Sequence, residues 1–480
     1  MRKGWCGSLG AVAWIGILLS FAAPSAGWAQ EAVPALAPPP SVAGIWEGVL
    51  DAGGQKLRVL FHITESPSGG LSATMDSPDQ GATGIPVSGV SFEKGELHLS
   101  VEQAGGSYFA KMAKNGTLEG TWSQNGAVLP LILHRVQSAP LIARPQEPKP
   151  PFPYQVREVT YPGGAPGVTL AGTLTLPEGK GPFPAVLLLA GSGPLDRDEA
   201  LFGHKPFLVI SDALTRRGIA VLRFDKRGVG QSTGDRAKAT DDDYTKDALA
   251  GLAFLKSQKE VNPKAMGLIG HSEGAIEAVK AAGRSSDVAF IVLLGGPGLP
   301  GGQLLEDQIA AMDKAAGATP EQVAQAVAVE KQILSAVQNQ PDDAKVSAEI
   351  RKILGKAQPE LKGQALDRQV QMATSPWFRQ FIGYDPRPDI EKVKCPVLAL
   401  GGEKDLQVPA VENLLAIRAA LQKGGNQRYV VKMLPGLNHL FQEASTGLPS
   451  EYGRIEQTFS PQALKLIGDW ILQQAGVKGP

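Results

Sequence analysis

The chain has 480 residues, and its 47 Lys and Arg balance its 47 Asp and Glu, so the formal net charge at pH 7 is zero. No basic stripe interrupts that balance, which argues against a nucleic-acid partner. The length predicts two or three domains. Two cysteines, Cys6 and Cys395, exclude a disulfide-stapled scaffold, so a hydrophobic core must hold the fold.

The N-terminus reads as a targeting segment. Met1-Arg2-Lys3 supplies positive charge, Leu9 to Ala23 is an apolar run too short for a comfortable membrane span, and Gly27 and Ala29 fit a small-residue cleavage site. Residues 1–29 are expected to be a signal peptide cut after Ala29. That places the mature chain in the periplasm or outside the cell, with no stable membrane span and with Cys395 as its one cysteine. Cys395 precedes the apolar run Pro396 to Leu400 and reads as a small buried hydrophobe.

Residues 30–40 are rich in Pro and Ala and read as a flexible start. Residues 41–137 form a separate all-β unit. Short alternating runs such as Leu57 to Ile63 and Glu96 to Val101 are separated by turn signals at Gly53-Gly54, Gly105-Gly106 and Asn115-Gly116. Gly44-Ile45-Trp46 and Gly120-Thr121-Trp122 resemble strands of lipocalin-like modules, which implies a small barrel or sandwich. Such a unit either binds a small ligand or glycan, or is a structural module whose tryptophans fill its own core. His62, His98 and His134 are scattered over its strands and do not have the spacing of a metal site. Residues 138–153 contain six prolines spread from Pro140 to Pro153 and read as an extended, semi-rigid linker.

From residue 154 to 480 strands alternate with helices, which predicts a mostly parallel sheet covered on both faces. Gln155 to Tyr161 and Val168 to Leu176 open it as an antiparallel pair. Phe183 to Leu189, Ile219 to Phe224 and Ala289 to Leu294 are buried strands, and Lys205 to Arg217 and Tyr244 to Lys256 are helices. Residues 297 to about 376 break the alternation with helices alone. Thr319-Pro320 reads as an N-cap followed by proline at the first helical position. An insertion there is placed to cap the strand ends. The sheet resumes at Val397 to Leu400 and Tyr429 to Met433, and Pro461 to Gln474 is a final helix.

Two G-x-S-x-G patterns occur. Gly270-His271-Ser272-Glu273-Gly274 follows a strand and opens an amphipathic helix, the setting a nucleophile elbow requires. Gly230-Gln231-Ser232-Thr233-Gly234 is followed by a polar, acidic stretch, which places Ser232 in a loop. A nucleophilic serine needs a base, and the base needs an orienting acid. Three histidines lie in the β unit, His271 adjoins Ser272 and projects away from it, and His204 begins a helix. That leaves His439, in a loop after the last strand. The acid should follow a strand between Ser272 and His439. Asp405 in Gly402-Glu403-Lys404-Asp405 fits, with Glu403 as the alternative, whereas Asp385 and Asp389 precede the strand and read as turn residues. An oxyanion hole needs two backbone donors. The Glu273 amide is one. The other comes from Ala190-Gly191-Ser192-Gly193-Pro194, where Ser192 is favoured and Gly193 is the alternative. The Glu273 carboxylate is also favourable at a helix N-terminus.

Residues 154–480 resemble an α/β-hydrolase of the serine-aminopeptidase-like group that includes bacterial carboxylesterases. The resemblance rests on Gly191-Ser192-Gly193-Pro194-Leu195-Asp196-Arg197-Asp198, Phe224-Asp225-Lys226-Arg227-Gly228-Val229-Gly230-Gln231-Ser232, the elbow, Asp405-Leu406-Gln407-Val408-Pro409 and Asn438-His439. It implies hydrolysis of small carboxylic esters, without metal or organic cofactor, by Ser272, His439 and Asp405. It also places Ser232 in the family's loop after the aspartate-arginine-glycine turn. Ala190 departs from the histidine of many relatives. A peptidase with the same triad is the alternative activity, needing a cap carboxylate such as Glu306 or Asp307 to bind the substrate amine. A non-catalytic ligand-binding protein is the alternative from another class. Serine at the elbow disfavours a dehalogenase.

Overall fold

The computed structural model describes residues 41–477 apart from 53–54, 67–68, 81, 125–126, 138–142 and 360. The expected signal peptide, the stretch 30–40, Cys6 and the first part of the linker lie outside the described residues. Two compact units are present, divided near residue 143.

In the first unit, strands β1 (Gly44–Ala52), β2 (Gln55–Glu65), β3 (Leu71–Ser77), β4 (Ala82–Pro86), β5 (Gly89–Glu93), β6 (Glu96–Val101), β7 (Gly106–Met112), β8 (Leu118–Gln124) and β9 (Ala127–Val136) form one antiparallel sheet. Its order is β4-β3-β2-β1-β9-β8-β7-β6-β5, a meander joined through β1 and β9. The period-2 pattern explains its two faces. Leu97, Leu99 and Val101 of β6 are buried, while Glu96 and His98, which alternate with them, are exposed. Trp46, Phe61, Tyr108 and Trp122 fill the core, with Phe61 and Tyr108 stacked at 5.9 Å. The polar tips are satisfied as burial demands. Trp46 Nε1 donates to Val42 O at 2.8 Å, Trp122 Nε1 to Gln124 Oε1 at 3.0 Å, and Tyr108 Oη lies 3.0 Å from the carbonyls of Leu118 and Leu131. The tryptophans therefore occupy the module's own interior. His62 pairs with Asp76 at 2.7 Å, and His98 and His134 are exposed on other strands. Among the described residues, no group of three His, Cys, Asp or Glu is placed to hold a metal ion.

The second unit is built on an eight-stranded sheet of β10 (Gln155–Pro162), β11 (Thr169–Leu176), β12 (Phe183–Leu189), β13 (Ala220–Phe224), β14 (Val261–His271), β15 (Phe290–Leu294), β16 (Val397–Gly402) and β17 (Tyr429–Leu434). The order is β10-β11-β13-β12-β14-β15-β16-β17, antiparallel across the first two pairings and parallel thereafter. Continuous apolar runs are buried on both faces because each face carries its own helices. Ala185, Leu187 and Leu189 of β12 face α2 (Asp241–Ser257), α3 (Glu273–Arg284) and α10 (Ala410–Lys423). Val186 and Leu188 face α1 (Pro206–Thr215) and α12 (Pro461–Gln474). Each fully buried Leu or Val contributes about 1.5–3 kcal/mol relative to exposure.

Helix α2 begins three residues before the expected Tyr244. Thr240 and Asp243 form a capping box, and Asp241, Asp242 and Asp243 suit the positive end of the helix dipole. The segment between β15 and β16 contains α4 (Gly301–Ala315), α5 (Pro320–Asn339), α6 (Asp343–Ala357), α7 (Gly363–Ala373), α8 (Pro376–Gly383) and the short α9 (Arg387–Ile390). Helices continue past Pro376 because that proline opens α8 rather than ending the insertion. Ser375 caps the helix by accepting from the Phe378 amide. The second half of the linker is pinned rather than free. Arg144 donates to the carbonyls of Gly203, Gly453 and Ile455, and Gln146 donates to Phe459 O at 2.7 Å. No helix among the described residues is long and apolar enough to cross a membrane.

Candidate active site

Strand β14 runs into α3 through Ser272, whose backbone sits at φ 52° and ψ −120°. A non-glycine residue at positive φ is strained, and surrounding structure must impose it. The flanking glycines allow it. A Cβ at Gly270 would lie 2.2 Å from Gly274 O, and one at Gly274 would lie 2.1 Å from Leu189 O. The strand end, the turn and the first turn of α3 are thus packed too closely for any side chain on either side of the serine. The Ser272 amide donates to Leu294 O at 2.9 Å, tying the elbow to the end of β15.

The residue after Leu294 faces the acid and the base. A Cβ at Gly295 would lie 3.1 Å from both Asp405 Oδ2 and His439 Nδ1. His439 Nδ1 and Asp405 Oδ2 are 2.8 Å apart, and both side chains are buried. The other Asp405 oxygen accepts from the amides of Gln407 at 2.9 Å and Val408 at 2.8 Å. The structure therefore brings Ser272, His439 and Asp405 to one end of the sheet, on the turns that follow β14, β17 and β16. Glu403 is exposed and accepts from the Gly436 amide at 2.8 Å, which holds the turn leading to His439. Asp385 pairs with Arg387, and Asp389 accepts from Tyr384 Oη at 3.0 Å.

Ser232 is placed elsewhere. Its hydroxyl donates to Asp225 O at 2.7 Å and accepts from the Ala171 amide at 2.9 Å, so it staples a buried loop. His204 lies just before α1 rather than in it. Its ring is held by Thr458 Oγ1 and Tyr452 O, and burial pushes its pKa down to about 4.

The loop after β12 passes beside Ser272, since a Cβ at Gly191 would lie 3.3 Å from Ser272 Cβ. Ser192 and Gly193 are exposed immediately beyond it, and the Glu273 amide opens α3 on the serine's other side. The Glu273 carboxylate turns inward. One oxygen accepts from Lys226 Nζ at 3.0 Å, the other from the indole N–H of Trp377.

Residues 207–443 match the family model for serine aminopeptidase, S33 (Hydrolase_4). The second unit has the α/β-hydrolase fold and is similar to that family, whose match spans just under half of the chain. The chain is 27% identical to Esterase EstD of Thermotoga maritima over 290 residues, which are 60% of this chain and 61% of that protein. It is 24% identical over 267 residues, 54% of this chain and 85% of the relative, to an uncharacterized 31.7 kDa protein of Escherichia coli. Among solved structures it aligns with the Pyrococcus furiosus esterase Pf2001 at a TM-score of 0.41, with 16% identity over 70% of this chain and 98% of that one. It aligns with a Mycobacterium smegmatis proline iminopeptidase at a TM-score of 0.41, with 17% identity over 66% of this chain and 98% of that one.

The hydrolase unit also carries site residues that sequence reasoning passed over. His271 is packed against His439 and holds its backbone. Its Nε2 lies 3.0 Å from His439 O, its Nδ1 lies 2.9 Å from Glu199 Oε1, and the two imidazole rings are 4.8 Å apart. Both ring nitrogens face acceptors, which favours the imidazolium. Burial opposes that charge, but the Glu199 carboxylate beside it prevails and raises the His271 pKa. Glu199 Oε1 also accepts from the Gly191 amide at 2.7 Å, so one carboxylate steadies both the nucleophile's neighbour and the loop after β12. Asn438 organises the base loop by accepting from the amides of Leu440 and Gln442 at 3.0 Å and donating to Gln442 Oε1 at 2.9 Å. The sequence signals were adjacency to motif residues: Glu199 follows Asp196-Arg197-Asp198, and Asn438 precedes His439.

Proposed function

We propose that the chain is a serine esterase that cleaves small carboxylic esters through an acyl-enzyme. The observation that carries this reading is the strained Ser272 turn beside the buried Asp405–His439 pair. Ser272 Oγ attacks the ester carbonyl while His439 Nε2 takes its proton. Asp405 holds Nδ1, fixing the tautomer and stabilising the imidazolium that forms. The amides of Glu273 and Ser192 receive the oxyanion, with Gly193 as the alternative donor, where the positive end of α3 adds to their effect. His439 returns its proton to the departing alkoxide, then activates water to release the acid. The matched family and the esterase relative support the ester class.

A peptidase would need a cap carboxylate free to take the substrate amine. Glu306 already lies 3.4 Å from Lys331 Nζ. Burial, with Glu412 and Glu306 adding to the shift, raises the Asp307 pKa above the usual carboxylate value. Ester cleavage is therefore the preferred activity, and residues 1–29 are proposed to direct the enzyme to the periplasm or outside the cell.

The test is turnover of a short-chain aryl ester together with labelling by a fluorophosphonate. The wild type should hydrolyse the ester and label at Ser272, while Ser272→Ala should do neither, with turnover lower by about 10³-fold or more. Release of arylamine from aminoacyl-arylamides at a rate exceeding ester cleavage would favour the peptidase instead. Labelling that survives in Ser272→Ala would sink the assignment of the nucleophile.

A further inference from the structure

We propose that Lys226 and Trp377 are positioning residues for the oxyanion donors, so that the donors are in place only while α8 is seated on the elbow. This rests on the proposed hydrolase chemistry of Ser272. The inference follows from one connected chain of contacts. The indole N–H of Trp377, in the first turn of α8, donates to Glu273 Oε1. Glu273 Oε2 accepts from Lys226 Nζ at 3.0 Å, and the same ammonium donates to Gly191 O at 2.9 Å. Glu273 carries one oxyanion amide, and Gly191 immediately precedes the residue that carries the other. One buried cation thus bridges the two backbone segments that must hold a fixed distance around the reacting carbonyl.

The surroundings make Lys226 specific to this task. It is 2% exposed, lies 4.3 Å from the centroid of the Tyr244 ring, and has Glu277 Oε1 at 3.7 Å. Burial works against its charge, but Glu273 and Glu277 more than offset this and raise its pKa above the usual lysine value. It therefore stays an ammonium, whose donors can reach the carbonyl and the carboxylate together.

Helix α8 is anchored on both sides. Arg379 donates to the carbonyls of Val337 and Gln340 at the end of α5, and Gln380 Oε1 accepts from the Asp241 amide at the start of α2. Trp377 itself stacks on Phe381 at 5.3 Å. Lifting α8 would remove the donor from Glu273 Oε1 and leave that buried carboxylate to Lys226 alone. The ammonium would then be drawn from Gly191 O toward Glu273. The insertion can act in this way on the geometry of the donors without contacting the reacting atoms.

The test compares kcat, KM and melting temperature on a short-chain aryl ester for wild type, Trp377→Phe, Lys226→Arg and Lys226→Met. Trp377→Phe keeps the stacked ring and removes only the N–H. It should lower kcat by about 10-fold, with KM changed by less than about twofold, because removing a whole oxyanion donor costs 10²–10³ and this change only loosens one. Lys226→Met should lower kcat by about 10²-fold, and Lys226→Arg should recover part of it. A purely structural role would shift the melting temperature while leaving kcat unchanged in the folded fraction, and that result in Trp377→Phe would overturn the inference. If Lys226→Met does not fold, Trp377→Phe decides alone. A wild type without ester turnover would overturn the proposed function and this inference with it, whereas an active wild type matched by an equally active Trp377→Phe would overturn this inference only.

Discussion

His439 Nδ1 lies 2.8 Å from Asp405 Oδ2, and the second oxygen of that carboxylate is held by the amides of Gln407 and Val408. The Asp405 carboxylate is thus held by backbone on one side and by the His439 ring on the other, as the proposed triad requires. Asp405→Asn would keep the shape but present an amide that can no longer hold the required tautomer. Its kcat should fall by about 10⁴-fold on a short-chain aryl ester, the scale of such a change in Ser-His-Asp triads. Glu403→Gln, at the exposed turn, should stay within about threefold of wild type, since its carboxylate accepts from the Gly436 amide, a hydrogen bond that glutamine can keep. Steady-state kinetics on the two variants checks the choice of acid; a larger loss in Glu403→Gln would reverse it.

The two serines of the repeated pattern separate in the same way. Ser232 is buried, donating to Asp225 O and accepting from the Ala171 amide. Ser232→Ala strands both partners and should destabilise the hydrolase unit by about 1–3 kcal/mol. Its kcat should remain within about twofold of wild type at a temperature where the unit is folded. Urea denaturation alongside kinetics tests this: a loss of kcat without a loss of stability would contradict the structural role given to Ser232.

How far the sequence carried can be judged from such residues. The elbow was legible because the glycines, the serine and the following helix are contiguous, and the strand and helix pattern around them follows from periodicity. Asp405 and His439, which the structure pairs at 2.8 Å, could be singled out by elimination, since few histidines exist and acids after strands are few. The buried supports were not legible. Lys226 and Glu273 are 47 residues apart, and Trp377 lies a further 104 away, on a helix just beyond the expected end of the insertion. The place of His271 depends on Glu199, 72 residues earlier. Such pairings are set by the crossover order of the sheet, and local pattern does not encode which distant loops that order brings together.

The Glu199–His271 pair makes stability depend on pH in a definite direction. The folded His271 pKa is raised, whereas the unfolded value is about 6.5. The stabilisation is therefore fully present below about pH 6.5 and is lost as pH rises through the folded value. The melting temperature of wild type should exceed that of His271→Gln most at about pH 6, and the gap should narrow by about pH 9. Thermal melts of both proteins across that range decide it; a gap that widens with pH would show that the imidazolium is not the folded form.

Glu330, inside the helical insertion, gives a dependence of the same sign through a folded form that is neutral rather than charged. The residue is 1% exposed on α5, and among the described residues Oε1 has no hydrogen-bond partner. Burial, with the Glu306 charge as a smaller contribution, pushes its carboxyl up to about 8. An unfolded glutamate titrates near 4.3, so between about pH 4.3 and 8 the folded chain holds a proton that the unfolded chain has released. Stability from this group falls across that window as pH rises. Glu330→Gln removes the titration while keeping the shape. The variant should match wild type at about pH 4.5 and be more stable at pH 8 to 9, by about 1–3 kcal/mol. Calorimetric melts of the two proteins at both ends of the window test the sign. A variant less stable than wild type at pH 8 would mean that the Glu330 carboxylate is stabilised in its charged form by the packed helices.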